Sequence, residues 1–184
     1  MTRLICALAL ALLVTSPAAA RPWVVDPAAS SLGFRVNVEG QPVKGTFRRW
    51  TANIAFDPAA LATSKASVTI DMASAASGDA ERDTSLVTAD WFSTKSYPKA
   101  TFVTRSIRSK GGAKYEALGD LTIRGVSRPI TLPFNLVIVG DKARMTSQVS
   151  LDRTAFGVGG GQFSTGDYVD TRVTVVIDLT ARGK

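Results

Sequence analysis

The side chains that carry most catalytic and metal chemistry are nearly absent from this chain. The sequence has no histidine, and its one cysteine is Cys6. Catalysis by a Ser–His–Asp or Cys–His set needs an imidazole base, and most zinc and haem sites need imidazole or thiolate ligands. No acidic loop with the spacing of a calcium site takes their place. The sequence therefore predicts no catalytic residue, no metal ligand and no cofactor.

Two short motifs resemble sites of enzyme chemistry, and neither is well placed for it. Ser96 and Lys99 have the S-x-x-K spacing in which a lysine activates a serine for acyl transfer. The two side chains would have to lie one helical turn apart, and Pro98 disfavours that helix. The run from Gly157 to Gly161 lacks the spacing of a phosphate-binding loop. An enzyme would need a carboxylate, lysine or tyrosine as its acid or base, and substitution of Asp152 tests that alternative.

Two adjacent charged pairs, Arg82–Asp83 and Asp152–Arg153, have two interpretations. Either pair can be a clamp for the polar head of a ligand, because charged groups in a cleft are candidate binding sites. Alternatively, each pair braces the local chain as a structural ion pair. We favour the structural interpretation for both pairs, and the sequence leaves both open.

The first twenty residues have the features of a signal peptide that is removed on export. Arg3 precedes an unbroken apolar run from Leu4 to Val14, and Ala18 to Ala20 form an A-x-A cleavage signal. The run is shorter than the roughly 20 apolar residues that span a bilayer. We therefore predict a signal peptide over residues 1–20, a single domain over residues 21–184, a periplasmic location and no membrane-spanning segment.

Export also limits the partners and the source of stability. Removal of the signal peptide takes away Cys6, so the remaining domain has no disulfide and must rely on its core. The net charge of the whole chain is +7. For an exported protein a nucleic acid is a poor partner, and a basic surface weakly attracted to anionic membranes fits better.

Period-two alternation is the strongest pattern in the rest of the chain. From Tyr168 to Arg182, apolar and polar side chains alternate over a stretch much longer than the usual strand of about five or six residues. Seven more segments are predicted as strands, at residues 31–40, 43–57, 66–72, 100–107, 115–124, 130–138 and 143–151. Sequential strands with short turns and one wet face favour a closed barrel over a sandwich. The predicted fold class is all-β, an eight-stranded antiparallel barrel with a short helical insert between strands 3 and 4.

Several irregularities are predicted within this barrel. A change of phase in the second strand indicates a bulge near Arg48. Pro133 lacks an N–H, which indicates a bulge or a locally unpaired edge. The others are a helix over residues 79–92, capped by Ser77 or Asp79, and a mobile loop rich in glycine and serine over residues 156–167.

The size and polarity of the side chains on the inner face of the barrel indicate the function. Six small residues on that face predict an open interior, namely Gly45, Ala52, Ala117, Gly119, Ser147 and Thr171. An eight-stranded barrel is wide enough either to be filled by side chains or to hold one small ligand. An apolar lining suits a long hydrocarbon and not a sugar. The predicted ligand-binding residues are Phe34, Val36, Phe47, Ile54, Ile70, Leu86, Phe102, Leu121, Ile123, Phe134, Met145, Phe156, Val173 and Val175.

Nine short motifs follow one another along the predicted domain. They are Trp23–Pro27, Ser31–Phe34, Gly45–Phe47, Phe56–Pro58, Arg82–Asp83, Asp90–Phe92, Tyr97–Phe102, Gly119–Gly125 and Asp152–Gly157. No single motif is specific, but in this order and spacing they resemble the YceI family of exported bacterial proteins over nearly all of residues 21–184.

The resemblance implies a lipocalin-like, eight-stranded barrel that holds a polyisoprenoid, such as a quinone-like or prenyl-phenol chain, in an apolar tunnel. Family members are often encoded near, or fused to, membrane cytochromes of the b type, which suggests a respiratory or isoprenoid-handling partner. This chain departs from the family at Ser85, where members often carry a histidine just before the residue that corresponds to Leu86. Any role of that imidazole toward a ligand head group is therefore absent or replaced.

Two functions from different classes follow from these observations. The first is a periplasmic carrier or store for a long isoprenoid lipid, without catalysis and with apolar burial as the source of affinity. The alternative is a fully packed barrel that acts as an interaction protein, with a membrane cytochrome or another envelope protein as its partner. The sequence does not distinguish a monomer from a homodimer.

Overall fold

Residues 19–184 are described by the computed structural model, and most of them lie in β-strands. Residues 1–18 of the predicted signal peptide lie outside the described residues. The described α-helix is α1 (Ala80–Leu86). The strands are β1 (Pro22–Val25), β2 (Ser31–Val38), β3 (Gln41–Phe47), β4 (Trp50–Ala55), β5 (Lys65–Asp71), β6 (Ala75–Ala76), β7 (Lys99–Ser109), β8 (Lys114–Ile123), β9 (Val126–Val139), β10 (Lys142–Asp152) and β11 (Arg172–Gly183).

The strands close into one antiparallel barrel of eight wall strands. β1 and β2 together form one wall strand, interrupted by a 3₁₀ turn at Pro27–Ala29, and β3 and β4 form the next, interrupted at Arg48. Around the ring the order is β1–β4–β5–β7–β8–β9–β10–β11, and β11 pairs with β1 to close it. β11 also pairs with β2, and β6 pairs with β3. The predicted eight-stranded barrel, with a helical insert between the third and fourth wall strands, is confirmed.

Two irregularities of the wall lie where the sequence places them. The N–H of Arg48 donates to the carbonyl oxygen of Ser74 (3.1 Å), so the second wall strand is interrupted there and does not form the predicted bulge. The ladder between β9 and β10 ends at Phe134 and Ser147, next to Pro133, which confirms the predicted unpaired edge. The Ser147 hydroxyl donates to the carbonyl oxygen of Pro133 (2.6 Å) and ends the ladder.

The structure differs from the prediction in one missing strand and in several element boundaries, of which two change the end of the barrel that carries α1. Strand β1 is missing from the sequence prediction, because its four residues are too few to show alternation. The helix ends at Leu86 and not at Phe92, because the chain turns back and the N–H of Phe92 donates to the carbonyl oxygen of Leu86 (3.0 Å). The last strand begins at Arg172 and not at Tyr168, because Tyr168 belongs to the preceding loop.

The two ends of the barrel are built differently. One end, here called the mouth, carries residues 77–98 with α1 and the long loop of residues 153–171. At the other end, here called the base, the strands are joined by turns at residues 110–113 and 140–141 and by the loop of residues 56–64. The longer insertions therefore all lie at the mouth, which is where loops that control access to a barrel interior are expected.

Aromatic side chains close the base. The ring centroids of Phe56 and Tyr115 lie 5.4 Å apart in an edge-to-face arrangement, and Tyr115 stacks on Phe134 at 5.4 Å. The indole N–H of Trp23 donates to the carbonyl oxygen of Phe56 (2.9 Å), and both side chains are buried. These contacts close the base with aromatic rings.

Arg153 organises the long loop at the mouth. It follows β10, is 5% exposed, and makes five hydrogen bonds to main-chain carbonyl oxygens. Burial lowers the pKa of Arg153, and the charges of Asp152 and Asp170 act in the opposite direction. The loop predicted from composition as mobile is thus folded around a buried cation. The acceptors are Val158, Gly159, Phe163, Val169 and Asp170.

Two glycines in the wall make room for aromatic rings. A Cβ atom on Gly119 would lie 2.7 Å from the ring of Phe102 and 2.5 Å from the carbonyl oxygen of Val103. A Cβ atom on Gly45 would overlap the ring of Phe34, which lies directly opposite in the ladder. Each ring covers a glycine of the neighbouring strand, a known way to stabilise glycine within a sheet.

We expect Gly119→Ala to destabilise the protein by about 1–3 kcal/mol, because the added methyl group must displace a ring or a main-chain oxygen. Urea denaturation measures the change in the free energy of unfolding. Gly160→Ala is the matched control, because a Cβ atom there lies 3.4 Å from its nearest neighbour and the backbone φ is −80°. The control should stay within about 0.5 kcal/mol of the wild type. Equal stability of the two variants would contradict the placement of Phe102.

We expect Arg153→Met to destabilise the protein by about 3 kcal/mol or more, because main-chain acceptors of the mouth loop lose a charged donor. Chemical denaturation and limited proteolysis of residues 153–171 measure the effect. Arg144→Met removes an exposed ion pair with Asp178 (2.7 Å) and should cost less than about 1 kcal/mol. A similar small loss for Arg153→Met would show that the loop is held in another way.

Candidate ligand-binding cavity

An apolar cavity of about 420 Å³ lies inside the barrel. It is bordered by Leu86 at the mouth and by Trp23 and Phe56 at the base, so it extends along the barrel axis. Its volume is within the range of about 300–1,000 Å³ that is typical of small-molecule sites. Most of the bordering side chains are apolar, and the polar or charged ones are Arg82, Ser85, Thr104 and Arg153.

Strand alternation explains why the lining is apolar. On β11 the side chains of Val173, Val175 and Ile177 border the cavity. Asp178, the next residue, lies on the outer face, where it forms an ion pair with Arg144 (2.7 Å). Because successive side chains of a strand point to opposite faces, the same rule holds around the ring.

All fourteen residues predicted from the sequence as ligand contacts border this cavity. Their contact with a ligand remains a prediction, since alternation shows only which way a side chain points. A further group of large side chains borders the cavity and is not predicted by strand alternation. Their positions depend on β1, on the strand break at Arg48 or on the segments that join the strands. These side chains are Trp23, Trp50, Met72, Trp91, Phe92 and Phe163.

The open interior does not come from the six small residues that predicted it. The rings of Phe34 and Phe102 lie over Gly45 and Gly119, so they fill the space that the missing side chains of these glycines would otherwise leave open. Of the six, Ala117 borders the cavity. The short side chains that do border it are mainly alanines, at Ala66, Ala100, Ala117, Ala143 and Ala181.

Helix α1 places charged side chains at the mouth. The Asp79 carboxylate caps the helix by accepting a hydrogen bond from the N–H of Arg82 (2.9 Å), which lowers the pKa of Asp79. Asp83 accepts from the hydroxyl and the N–H of Ser77 (2.7 and 2.6 Å), and these bonds lower the pKa of Asp83. Asp83 therefore fixes the helix to the preceding turn. The ion pair of Arg82 is with Asp79 (3.4 Å), so the proposed Arg82–Asp83 pair is wrong.

The Asp152–Arg153 pair also has a different role from a direct ion pair. Asp152 accepts from the hydroxyl and the N–H of Thr154 (2.7 and 2.9 Å), which lowers the pKa of Asp152. The hydrogen bonds of Arg153 go to main-chain carbonyls of the loop. Both residues brace the loop, as the structural interpretation requires, and Arg153 has no N–H left for a ligand.

Aromatic rings surround the mouth. The ring centroids of Phe34 and Phe47 lie 5.5 Å apart, and Phe47 lies 6.2 Å from Phe92. Trp91 and Phe163 approach to 5.1 Å. The guanidinium of Arg153 lies 5.4 Å from the centroid of the Trp91 ring. An apolar chain that enters the cavity therefore passes between aromatic faces.

The described residues contain no arrangement that favours catalysis through the motifs considered above. Ser96 lies in an exposed turn and Lys99 begins β7, so the S-x-x-K residues do not share a helix. Within residues 19–184, no group of three or more His, Cys, Asp or Glu side chains is placed to hold a metal ion. In the same part of the chain, no helix has the length and hydrophobicity needed to cross a membrane.

Solved structures share this architecture. BcnA of Burkholderia cenocepacia is 34% identical, with a TM-score of 0.83 over 85% of this chain and 99% of its own. A YceI protein of Campylobacter jejuni is 30% identical, with a TM-score of 0.67 over 77% of this chain and 85% of its own. A polyisoprenoid binding domain from Saccharophagus degradans has the same fold at 15% identity, with a TM-score of 0.71 over 88% of this chain and 98% of its own.

Sequence comparison gives the family. The UPF0312 protein of Vibrio parahaemolyticus is 34% identical over 137 residues, which are 73% of this chain and 72% of the relative. The model of the YceI-like domain matches residues 23–181, from β1 to the end of the barrel. The chain therefore belongs to the YceI family.

Proposed function

We propose that the protein is a non-catalytic carrier or store for a long isoprenoid lipid, and that it works in the periplasm. The observation that carries the proposal is the apolar cavity of about 420 Å³, which follows the barrel axis and is closed by aromatic rings at the base. A long, flexible hydrocarbon is the ligand class that such a lining suits. The periplasmic location rests on the predicted signal peptide.

Apolar burial is the source of affinity in this proposal. Each Å² of apolar ligand surface removed from water contributes about 25 cal/mol before the cost of ordering the chain. The described lining has few polar groups with which a sugar or nucleotide could form hydrogen bonds. The fold shared with the polyisoprenoid binding domain of Saccharophagus degradans supports the isoprenoid class.

The finer parts of the proposal are the head group and the membrane partner. A quinone-like or phenol head on a prenyl chain, and a b-type cytochrome as partner, are the choices that the family resemblance suggests. The competing function, a fully packed interaction protein, predicts no cavity larger than one or two waters, and the observed cavity disfavours it.

We expect the protein purified from its own host under mild conditions to carry a bound isoprenoid. Native mass spectrometry should show the protein with an added lipid mass, and fragmentation should identify the lipid. The same spectrum distinguishes a monomer from a homodimer. Only lipid-free protein after mild extraction would count heavily against the proposal.

We expect Val175→Trp to fold but to lose most lipid binding, because its larger side chain projects into the cavity. Displacement of a fluorescent hydrophobic probe measures binding, and thermal melting measures stability. Val176→Trp is the matched control, because the next residue of β11 points to the outer face and should bind lipid like the wild type. In a packed barrel, Val175→Trp would instead destabilise the fold by about 1–3 kcal/mol through overpacking.

A further inference from the structure

We infer that Arg82 donates a hydrogen bond to a neutral oxygen atom of the ligand at the mouth, a carbonyl, ether or hydroxyl oxygen. This inference rests on the proposed function and specifies the polar end of the ligand. Arg82 lies on α1, which borders the cavity, and Ser85 borders it one helical turn further along.

The two arginines that border the cavity differ in how many of their N–H groups have a hydrogen-bond acceptor. Arg153 uses its N–H groups in five hydrogen bonds to the mouth loop. Arg82 has an ion pair with Asp79 at 3.4 Å, the longest of the ion pairs among residues 19–184. Its Nε atom is the one buried side-chain nitrogen or oxygen in this part of the chain without a hydrogen-bond partner.

A buried donor without an acceptor destabilises the ligand-free state, and a hydrocarbon cannot relieve that cost. The Arg82 side chain is 33% exposed, and its pairing with Asp79 is loose, so the guanidinium has freedom to turn toward the cavity. Arginine has donors and no acceptor, so the group that it receives must be a hydrogen-bond acceptor. The ligand therefore carries an oxygen atom at the end that stays near the mouth.

Local charge favours a neutral acceptor over an anion. Asp79, Glu81 and Asp83 lie on or next to α1, and Arg82 is the basic residue among them. The Asp79 carboxylate already offsets the Arg82 charge.

The other arginine that borders the cavity, Arg153, has the charges of Asp152 and Asp170 beside it. A phosphate or carboxylate head would therefore meet no cation at the cavity without an acidic neighbour, and like charges at close range repel. A hydroxyl head has a further partner, because the Ser85 hydroxyl donates to the carbonyl oxygen of Glu81 (3.1 Å) and keeps its lone pairs free.

Squalene and squalene monoepoxide test the inference, because they share one hydrocarbon skeleton and differ by a single neutral acceptor. Displacement of a fluorescent hydrophobic probe from delipidated protein gives both affinities. We expect the wild type to bind the epoxide about tenfold more tightly than squalene, the effect of one hydrogen bond from a charged donor. Arg82→Met should remove that preference, so that the variant binds squalene and its epoxide with equal affinity.

Arg105→Met is the matched control, because Arg105 is an exposed arginine of β7 paired with Asp120 (2.6 Å). It should keep the preference for the epoxide. Should Arg82→Met fail to fold, Arg82→Gln replaces it. Its shorter, uncharged amide keeps a donor, so the preference for the epoxide should fall without disappearing. A second pair, geranylgeraniol and geranylgeranyl phosphate, tests the charge of the head, and the alcohol should bind more tightly.

The outcomes separate this inference from the proposed function. Equal binding of squalene and its epoxide to the wild type, with Arg82→Met unchanged, overturns the role of Arg82 and leaves a lipid carrier. Tighter binding of the phosphate that depends on Arg82 overturns the neutral class of head group. Failure of the wild type to bind any of the four isoprenoids overturns both proposals.

Discussion

The pairing of β11 along both of its edges is the constraint on which the rest of the structure depends. β11 pairs with β10 from Arg172 to Arg182, and with β1 and β2 on its other edge. Because this strand closes the ring, its register decides which side chains face inward. A slip of one residue would turn Thr174 and Asp178 into the interior and Val175 toward solvent, a change that the burial of one face strongly disfavours. The apolar side of β11 that borders the cavity is thus a consequence of this register.

The parts of the fold that could be predicted from the sequence are the strands. Their alternation of apolar and polar side chains matches the inner and outer faces of the closed barrel. Alternation is readable along each strand, so the inward residues and the eight wall strands were accessible from the sequence. The bracing role of Arg153 was also predicted, but its partners were not, because they are main-chain carbonyls up to 17 residues away and no side-chain pattern records them. The role of Gly45 was missed for a similar reason. The ring of Phe34 on the neighbouring strand lies over Gly45. The local sequence does not show which ring of a neighbouring strand covers a given glycine.

The barrel is asymmetric along its axis, and this gives a bound amphiphile a direction. Trp23, Phe56 and Tyr115 close the base with rings, and the hydrogen bond of the Trp23 indole is already satisfied by a carbonyl. Most of the polar groups that border the cavity, including Arg82 and Ser85, lie at the mouth. A chain with an apolar tail and a polar head gains most when the tail points to the base. The opposite orientation would bury the head without partners, which is costly in an apolar environment.

The hollow interior also connects stability with ligand binding. A cavity removes dispersion contacts that a filled core would make, and residues 21–184 contain no cysteine with which a disulfide could compensate. The closed ladder, the buried apolar side chains around Trp23, Phe56 and Phe102, and the Arg153 loop hold the empty barrel together. A lipid that occupies the cavity restores the missing contacts and binds only the folded state, so it raises stability by mass action. Such a lipid would act as the missing part of the core, because the side chains that border the cavity would gain the contacts that the empty barrel lacks.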